Sequence, residues 1–485
     1  MPRRFSVHQF ANGLTAVLEF MPQTVSTAVG FLISTGARHE PAPYDGVSHF
    51  LEHMMFKGTA RRGWQEINRE FDQMGARYNA FTAWEETCYF AWVLNEQTPR
   101  ALDLLSDMLA PALPENEFAT EKKVILEEIA RYRDMPDHVA FEEAMKIAFA
   151  GHRLSSNVLG SVESIGKLSL EQMREYFSQR YVPANTTLFA CGNVNEQALL
   201  ADVDKLWSER TGPRINGAAD TPAFHPGRKV LQRKEVAREH LVLMWPALPV
   251  ADRQSLAASL LGAILGEDQN SRLFWALKHT GLAEEAGAGY WGFSDAGLMA
   301  AYASCDPGNA GKVERIIRSE SAKLGNGIRP EELQRAKNRA RTSLVFLSET
   351  PFNRFRQLMH QWQMRRELLT PEEMLARVDE VTLDELHELL RRYSMDSEAA
   401  TVALGPLQRL SYRAVPSAPE ARPEARAHTK PKAAGRKQKA VSGKQKAVSG
   451  KQKAVSGKQK AASTKRKPAG KQARPKPKAG IRGRG

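Results

Sequence analysis

The segment VSHFLEHMMFK, residues 47–57, combines residue types whose spacing could hold a metal ion. His49 and His53 are four residues apart, so on a helix both imidazoles project from one face. Zinc favours such nitrogen ligands. Glu52 reaches the same side, where a carboxylate could take a proton from metal-bound water and later return it to a leaving group. The segment therefore predicts a hydrolytic zinc site on a helix.

The alternative for this segment is an ordinary exposed helix face, because the pattern HxxEH also occurs by chance in long proteins. Its surroundings favour the metal site. The predicted helix, which Asp45 or Ser48 could cap, is mostly apolar, and polar groups on a buried helix need partners. Its apolar residues are Phe50, Leu51, Met54, Met55 and Phe56.

A third ligand is expected from a second predicted helix, residues 115–133. Glu127 falls in a stripe of alternating charge with Lys123 and Arg131, which is typical of an exposed face. Glu128 falls on the apolar side, where a carboxylate is costly unless it is paired or binds a metal. We therefore predict that Glu128 is the ligand and Glu127 a surface residue. The residues predicted to share the side of Glu128 are Glu121, Val124, Ile125 and Tyr132.

Glu121 lies two helical turns before Glu128 on the same predicted face. A carboxylate there could hydrogen-bond to a metal ligand and fix its orientation. The alternative is a structural acid near the N-terminal end of the helix, where the helix dipole favours negative charge. The sequence leaves both interpretations open.

The first 410 residues are organised as two similar halves. A stretch rich in Gly, Pro and Ala at residues 213–226 predicts a linker between domains at residues 1–212 and 227–410. Each half ends in a predicted helix, a Tyr, an apolar strand and a Gly, and strand-like runs mix with amphipathic helices throughout. This pattern predicts an α+β fold with a duplicated domain. The matching residues are Tyr181 with Tyr393 and Gly192 with Gly405.

Residues 411–485 form a tail of different composition, with 23 Lys and Arg against two Glu. The sequence KQKAVSG occurs there three times in tandem. A segment with so few large apolar residues cannot offset its ordering entropy, so we predict that it is disordered. Its charge predicts binding to nucleic acid or another polyanion. The alternative is a solubilising appendage.

Other features of the composition exclude several classes of protein. No apolar run approaches the roughly 20 residues that a membrane-spanning helix requires, and no signal-peptide core follows the N-terminal arginines. We therefore expect a cytoplasmic protein without a transmembrane segment. The three cysteines are widely spaced, which favours buried thiols over disulfides or a Cys zinc cluster. They are Cys88, Cys191 and Cys305.

Over residues 5–410 the chain resembles the pitrilysin or insulinase-like family of zinc peptidases, family M16, and in particular its bacterial members similar to mitochondrial processing peptidases. The family pattern HFLEH followed by FKGT matches residues 49–53 and 56–59. The family's third ligand lies about 75 residues after the second His, where this chain has Glu128, and its upstream acid matches Glu121. Residues 12–14, NGL, and 79–82, NAFT, also match.

The resemblance implies two homologous α+β domains, with antiparallel or mixed sheets and packed helices enclosing a cavity. It implies one zinc ion per chain, held by His49, His53 and Glu128 of the first domain. Glu52 would be the general base for attack of zinc-bound water on a peptide. The peptide would extend along an edge strand containing Asn79 and Ala80, for which a plain structural strand is the alternative. Family members of this size work as homodimers or heterodimers.

The second domain departs from the family pattern at one position. The family supplies an Arg and a Tyr that help to hold the substrate; here Arg272 is kept, but Glu284 stands at the Tyr position. Loss of the hydroxyl removes a possible donor to the substrate. Glu284 could instead pair with Arg272 or select basic peptides. The chain could therefore be a non-catalytic or partner-dependent subunit of a heterodimeric peptidase, the alternative to a self-sufficient endopeptidase.

Overall fold

A computed structural model describes residues 4–213, 220–267, 269–325 and 327–410 of the chain. The predictions about the tail, residues 411–485, and about residues 214–219 of the linker therefore lie outside the described residues.

The first half of the chain contains a six-stranded mixed sheet with the strand order β1-β2-β6-β3-β5-β4. β2 and β6 are parallel, and the other neighbours are antiparallel. Helices cover both faces at its centre, which explains why β3 and β6 are almost wholly apolar. The strands are β1 (Arg4–Gln9), β2 (Thr15–Phe20), β3 (Ser26–Ile33), β4 (Arg77–Thr82), β5 (Thr87–Leu94) and β6 (Thr186–Gly192).

The second half contains a five-stranded sheet with the order β7-β11-β8-β10-β9. This order repeats β2-β6-β3-β5-β4 of the first sheet, with a parallel pair, β7 and β11, in the corresponding place. The predicted α+β fold with two similarly built domains is confirmed. The strands are β7 (Gly227–Gln232), β8 (Glu239–Ala247), β9 (Ala283–Gly292), β10 (Gly297–Cys305) and β11 (Ala400–Gly405).

The helices pack against both sheets. Among the described residues, no helix is long and apolar enough to cross a membrane. The helices of the first half are α1 (Val47–Met54), α2 (Trp64–Gln73), α3 (Thr98–Met108), α4 (Glu115–Arg133), α5 (Pro136–Ala148), α6 (Val162–Lys167), α7 (Leu170–Arg180) and α8 (Glu196–Trp207). Those of the second are α9 (Ser255–Gly262), α10 (Ala310–Leu324), α11 (Pro330–Leu347), α12 (Pro351–Arg365), α13 (Pro371–Glu380) and α14 (Leu383–Arg392).

The two halves exchange one helix each. α5 from the first half packs on β8 and β11 of the second sheet, where Ala144 and Met145 join the core. α12 from the second half packs on β3 and β6 of the first sheet through Phe355 and Leu358. Each sheet is therefore completed by a helix from the other half. The predicted buried, reduced state of the three cysteines is also confirmed.

A buried ion pair fastens α12 to the first sheet. Arg354 of α12 and Glu19 of β2 are both fully buried, and the Arg354 guanidinium lies 2.7 Å from Glu19 Oε2. A second guanidinium nitrogen, Nε, donates to the same carboxylate. Removing one partner from such a pair leaves the other charge buried without compensation.

We expect Arg354→Met to lower the free energy of unfolding by about 3–5 kcal/mol, because it strands the Glu19 carboxylate. The double variant Glu19→Leu/Arg354→Met removes both charges and should recover most of this loss. Denaturant titration followed by tryptophan fluorescence measures both effects. Arg356→Met, on an exposed position of the same helix, is the control. Equal destabilisation by Arg354→Met and Arg356→Met would contradict the stabilising role of the buried pair between Arg354 and Glu19.

Candidate metal centre

Helix α1 carries His49, Glu52 and His53 and lies against the core of the first half. Its apolar side, including Phe50 and Leu51, is fully buried. The helix begins after Gly46, which has a φ of +89° and offers no capping side chain. The burial of this helix, predicted from its apolar residues, is thereby confirmed.

The predicted caps, Asp45 and Ser48, are wrong. Asp45 instead pairs with Arg153, at 2.5 Å. Ser48 lies inside the first turn, and its hydroxyl is 2.7 Å from the Tyr176 hydroxyl. The physical reason is that the chain turns into the helix at Gly46, so neither side chain stands at the capping position.

Three side chains converge between α1 and α4. His49 Nε2 lies 3.8 Å from Glu128 Oε2, and His53 Nε2 lies 3.6 Å from the same oxygen. One ligand atom from each residue lies within 4.8 Å of the other two. Tetrahedral zinc with bonds of about 2.0–2.2 Å separates its ligand atoms by roughly 3.3–3.6 Å, so the two distances found here are at or slightly above this range. The donor types and spacing therefore fit a zinc ion.

Glu121 holds the second histidine in the orientation that this convergence requires. His53 Nδ1 and Glu121 Oε1 are 2.9 Å apart, which leaves His53 Nε2 facing Glu128. Lys57 Nζ lies 2.5 Å from the other oxygen of Glu121. Burial acts to raise the pKa of Glu121, but the hydrogen bonds from His53 and Lys57 outweigh it and lower the pKa. Glu121 also lies beyond the first turn of α4, which favours the orienting interpretation over the helix-dipole one.

Glu52 is a buried carboxylate beside the cluster. Its Oε2 accepts a hydrogen bond of 2.6 Å from the Thr82 hydroxyl at the end of β4. Burial raises the pKa of Glu52, and the charge of Glu128 adds to this effect, although Thr82 and His53 oppose it. A carboxylate whose pKa moves towards neutrality is suited to accept and return a proton.

The two histidines have different electrostatic environments. Burial, followed by the neighbouring charge of His53, lowers the pKa of His49 to about 3, so its imidazole is neutral and can donate a lone pair. Burial also acts to lower the pKa of His53. There the hydrogen bond with Glu121 and the charges of Glu52, Glu121 and Glu128 outweigh burial and raise the pKa. Such a concentration of carboxylates favours a bound cation.

The face of α4 differs from the prediction at one residue. Glu127 is exposed and Glu128 partly buried, as predicted. Val124, however, is 45% exposed, so its predicted place on the buried side is wrong. The buried stripe repeats every three to four residues through Glu121, Ile125 and Ile129, and Val124 falls outside it. Arg131, predicted on the exposed face, is 63% exposed but donates to Glu128 Oε1 at 3.0 Å.

A pocket of about 290 Å³ opens beside the cluster. Strand β4, helices α4 and α5 and the segment 155–159 line it. Seven of the residues that line it are aromatic or aliphatic, so it could receive an apolar side chain. These apolar residues are Phe81, Trp84, Tyr132, Phe141, Met145, Val158 and Leu159.

Strand β4 is the edge of the first sheet next to this site, as predicted. In the part of the chain that the structure describes, β4 pairs with β5 alone. Ala80 is buried against the core, whereas Asn79 is exposed. The hydrogen bond from Thr82 to Glu52 joins the end of this strand directly to α1. An extended peptide could add to the free edge beside this cluster.

Arg272 is not brought to the cluster within the described chain. Its Nε donates to Glu332 Oε1 at 2.9 Å, and another guanidinium nitrogen donates to the Gly327 carbonyl. Burial acts to raise the pKa of Glu332, but the bonds from Arg272 and Arg329 outweigh it and lower the pKa to about 2. Glu284 lies 3.2 Å from Arg238, so pairing with Arg272, one of the two possibilities for Glu284, is wrong. Arg272 pairs with Glu332, and Glu284 pairs with Arg238.

Sequence reasoning missed the roles of Lys57 and Thr82. Lys57 follows His53 by four residues, a helical spacing that could have placed its ammonium beside the same acid. Thr82 is the last residue of the NAFT segment. Its hydrogen bond to Glu52 could not be predicted, because it joins distant parts of the chain.

Two family profiles match the chain. Residues 15–162 match "Insulinase (Peptidase family M16)", and residues 167–340 match "Peptidase M16 inactive domain". The first includes α1 and α4, and the second most of the second sheet.

Comparisons with individual proteins agree with these matches. The uncharacterized zinc protease YmxG of Bacillus subtilis is 31% identical over 384 residues, 79% of this chain and 93% of that protein. A zinc protease of Streptomyces coelicolor is 31% identical over 410 residues, 82% of this chain and 88% of that protein.

Solved structures share the fold. A protease from Helicobacter pylori superposes with a TM-score of 0.77 at 22% identity, covering 83% of this chain and 100% of that one. A chain of complex III2 from Candida albicans gives a TM-score of 0.73 at 16% identity, covering 83% of this chain and 96% of that one. The two profile matches and the relatives that are 31% identical show that the chain belongs to the insulinase family, peptidase family M16.

Proposed function

We propose that the chain is a zinc endopeptidase that hydrolyses peptides or unfolded polypeptides, with one zinc ion held by His49, His53 and Glu128. The observation that carries the proposal is the convergence of three ligand atoms, all within 4.8 Å of one another, beside the buried carboxylate of Glu52. Relatives whose names describe them as zinc proteases support the proposal.

Glu52 is the general base and acid of the proposed reaction. When bound, zinc supplies Lewis acidity that lowers the pKa of a water molecule and polarises a peptide carbonyl. Because Thr82 donates to Oε2 of Glu52, the other oxygen, Oε1, is the atom that takes the proton from the attacking water. The same oxygen returns the proton to the leaving amine. The buried position of Glu52 keeps this proton away from bulk solvent.

The substrate is proposed to lie extended along the free edge of β4, next to Asn79 and Ala80. Backbone hydrogen bonds to a strand edge do not depend on side-chain identity, so this mode suits varied peptides. The pocket beside the metal ligands then receives one substrate side chain. Its volume of about 290 Å³ and aromatic walls favour a bulky apolar residue there.

A second candidate function is that of a subunit that needs a related partner for full activity. Two observations favour it: Arg272 is engaged by Glu332, and Glu284 stands where the family has a Tyr. Neither of these two positions of the described second domain then offers a free donor to a substrate at β4. A partner subunit would supply that donor.

We expect Glu52→Gln to lower kcat by about 10²–10⁴-fold while the protein keeps its zinc, because the amide cannot accept the proton of the attacking water. Cleavage of a mixed pool of unfolded peptides, with the metal content of each sample determined by mass spectrometry, measures both quantities. Cleavage by Glu52→Gln at the wild-type rate would contradict the role of Glu52. A wild-type chain that holds zinc but cuts nothing would favour the partner-dependent candidate.

We expect Glu121→Gln to weaken zinc binding by about 10–100-fold without removing a ligand, because it perturbs the hydrogen bond that orients His53. Competition with a chromogenic chelator gives the dissociation constant. Glu127→Gln is the matched control: it lies on the same helix next to Glu128, but its side chain is exposed. Equal affinities for the two variants would show that Glu121 has only a structural role.

A further inference from the structure

The N-terminus of α1 lacks the usual helix cap. Gly46 occupies the N-cap position with a φ of +89°, and a Cβ atom there would lie 2.6 Å from the carbonyl oxygen of Leu159. Ser, Thr, Asp or Asn, the usual capping residues, therefore cannot stand at this position without strain. The first N–H groups of the helix must find an acceptor elsewhere.

Glu40 supplies this acceptor from six residues earlier in the chain. Its Oε2 accepts a hydrogen bond of 2.7 Å from the Gly46 N–H, and its Oε1 accepts one of 2.8 Å from the Ser48 N–H. The Glu40 side chain is fully buried, with the Arg153 guanidinium 3.9 Å from Oε2. Burial raises the pKa of Glu40 to about 7, although the bonds from the Ser48 and Gly46 N–H groups and the charge of Arg153 act to lower it. The helix dipole also favours negative charge at this position.

The first turn of α1 is held from a second direction by Tyr176 of α7. The Tyr176 hydroxyl lies 2.7 Å from Ser48 Oγ and 2.9 Å from Thr35 Oγ1. Ser48 directly precedes His49, so the contact between Ser48 and Tyr176 acts next to a proposed ligand. A helix of eight residues is too short to be stable alone, so its orientation depends on such contacts.

We propose that Glu40 is a positioning residue for the metal site, which sets the orientation of α1 so that His49 and His53 face Glu128. This inference rests on the proposed zinc site. Glu40 acts through the backbone of Gly46 and Ser48, and within the part of the chain that the structure describes none of its hydrogen bonds involves a proposed ligand side chain. Its role in the assembly of the site is distinct from that of Glu121, which acts on one imidazole.

The test compares zinc affinity in the full-length wild type and Glu40→Gln, by chelator competition at a temperature where circular dichroism shows both to be folded. The amide has only one oxygen acceptor for two N–H groups, so the dissociation constant should rise about 10–100-fold. With a peptide substrate, kcat should fall while KM stays within about twofold. Glu40→Asp, which keeps the charge but is one carbon shorter, should also weaken binding and replaces Glu40→Gln if that variant does not fold.

Arg354→Met is the control for a general loss of stability, since it is expected to destabilise the fold without contacting α1. Its zinc affinity should stay within about twofold of wild type. Unchanged affinity in the Glu40 variants, or an equal loss in Arg354→Met, would overturn the inference. The main readout is zinc affinity. A wild type that binds zinc but does not cleave peptides would therefore refute the proposed function and leave the inference about Glu40 standing. A wild type that binds no zinc would refute both.

Discussion

The site depends on one constraint: two histidines on an eight-residue helix must face a carboxylate that belongs to a different helix. A short helix has little stability of its own, so its orientation is set by what it packs against. Its apolar side is inserted into the core of the first half, and the resulting burial makes every polar group beside it costly unless that group has a partner. Glu121, Lys57 and Thr82 are the partners that the fold provides.

The duplicated architecture supplies the frame for this arrangement. The second sheet repeats the order of five of the six strands of the first, yet among the described residues only the first half brings His and Glu side chains together as a candidate metal centre. The exchange of α5 and α12 makes each half part of the other's core. Arg38 of the first half binds Glu85 and Asp295 near the turn that follows β4, so the proposed substrate edge is joined to the second half. We infer that the second half supports the site by fixing this edge.

Much of the site could be predicted from the sequence because its geometry is periodic. The helical spacing of His49 and His53 places both rings on one face, and the charge pattern of α4 separates Glu128 from Glu127. The repeated helix, Tyr, strand and Gly predicted two domains of the same construction. These features depend on neighbours within two turns or on repeated patterns, which a single sequence contains.

The remaining features depend on contacts between distant segments. The capping of α1 could not be predicted because it depends on the approach of the segment at Leu159 to Gly46, which excludes a capping side chain there. The exposure of Val124 depends on how α4 lies against its neighbours, and the pairing of Arg272 depends on Glu332, which lies 60 residues away. The exchange of helices α5 and α12 could not be predicted, because the sequence pattern of one half does not indicate that its helix packs on the sheet of the other half.

The central claim is that zinc binds where His49, His53 and Glu128 converge, and its most direct test is anomalous diffraction at the zinc edge from crystals of the zinc-loaded chain. The account predicts one anomalous peak per chain, about 2.0–2.2 Å from Nε2 of both histidines and from a Glu128 oxygen. A peak elsewhere with none at these three atoms, or coordination through a cysteine, would contradict it.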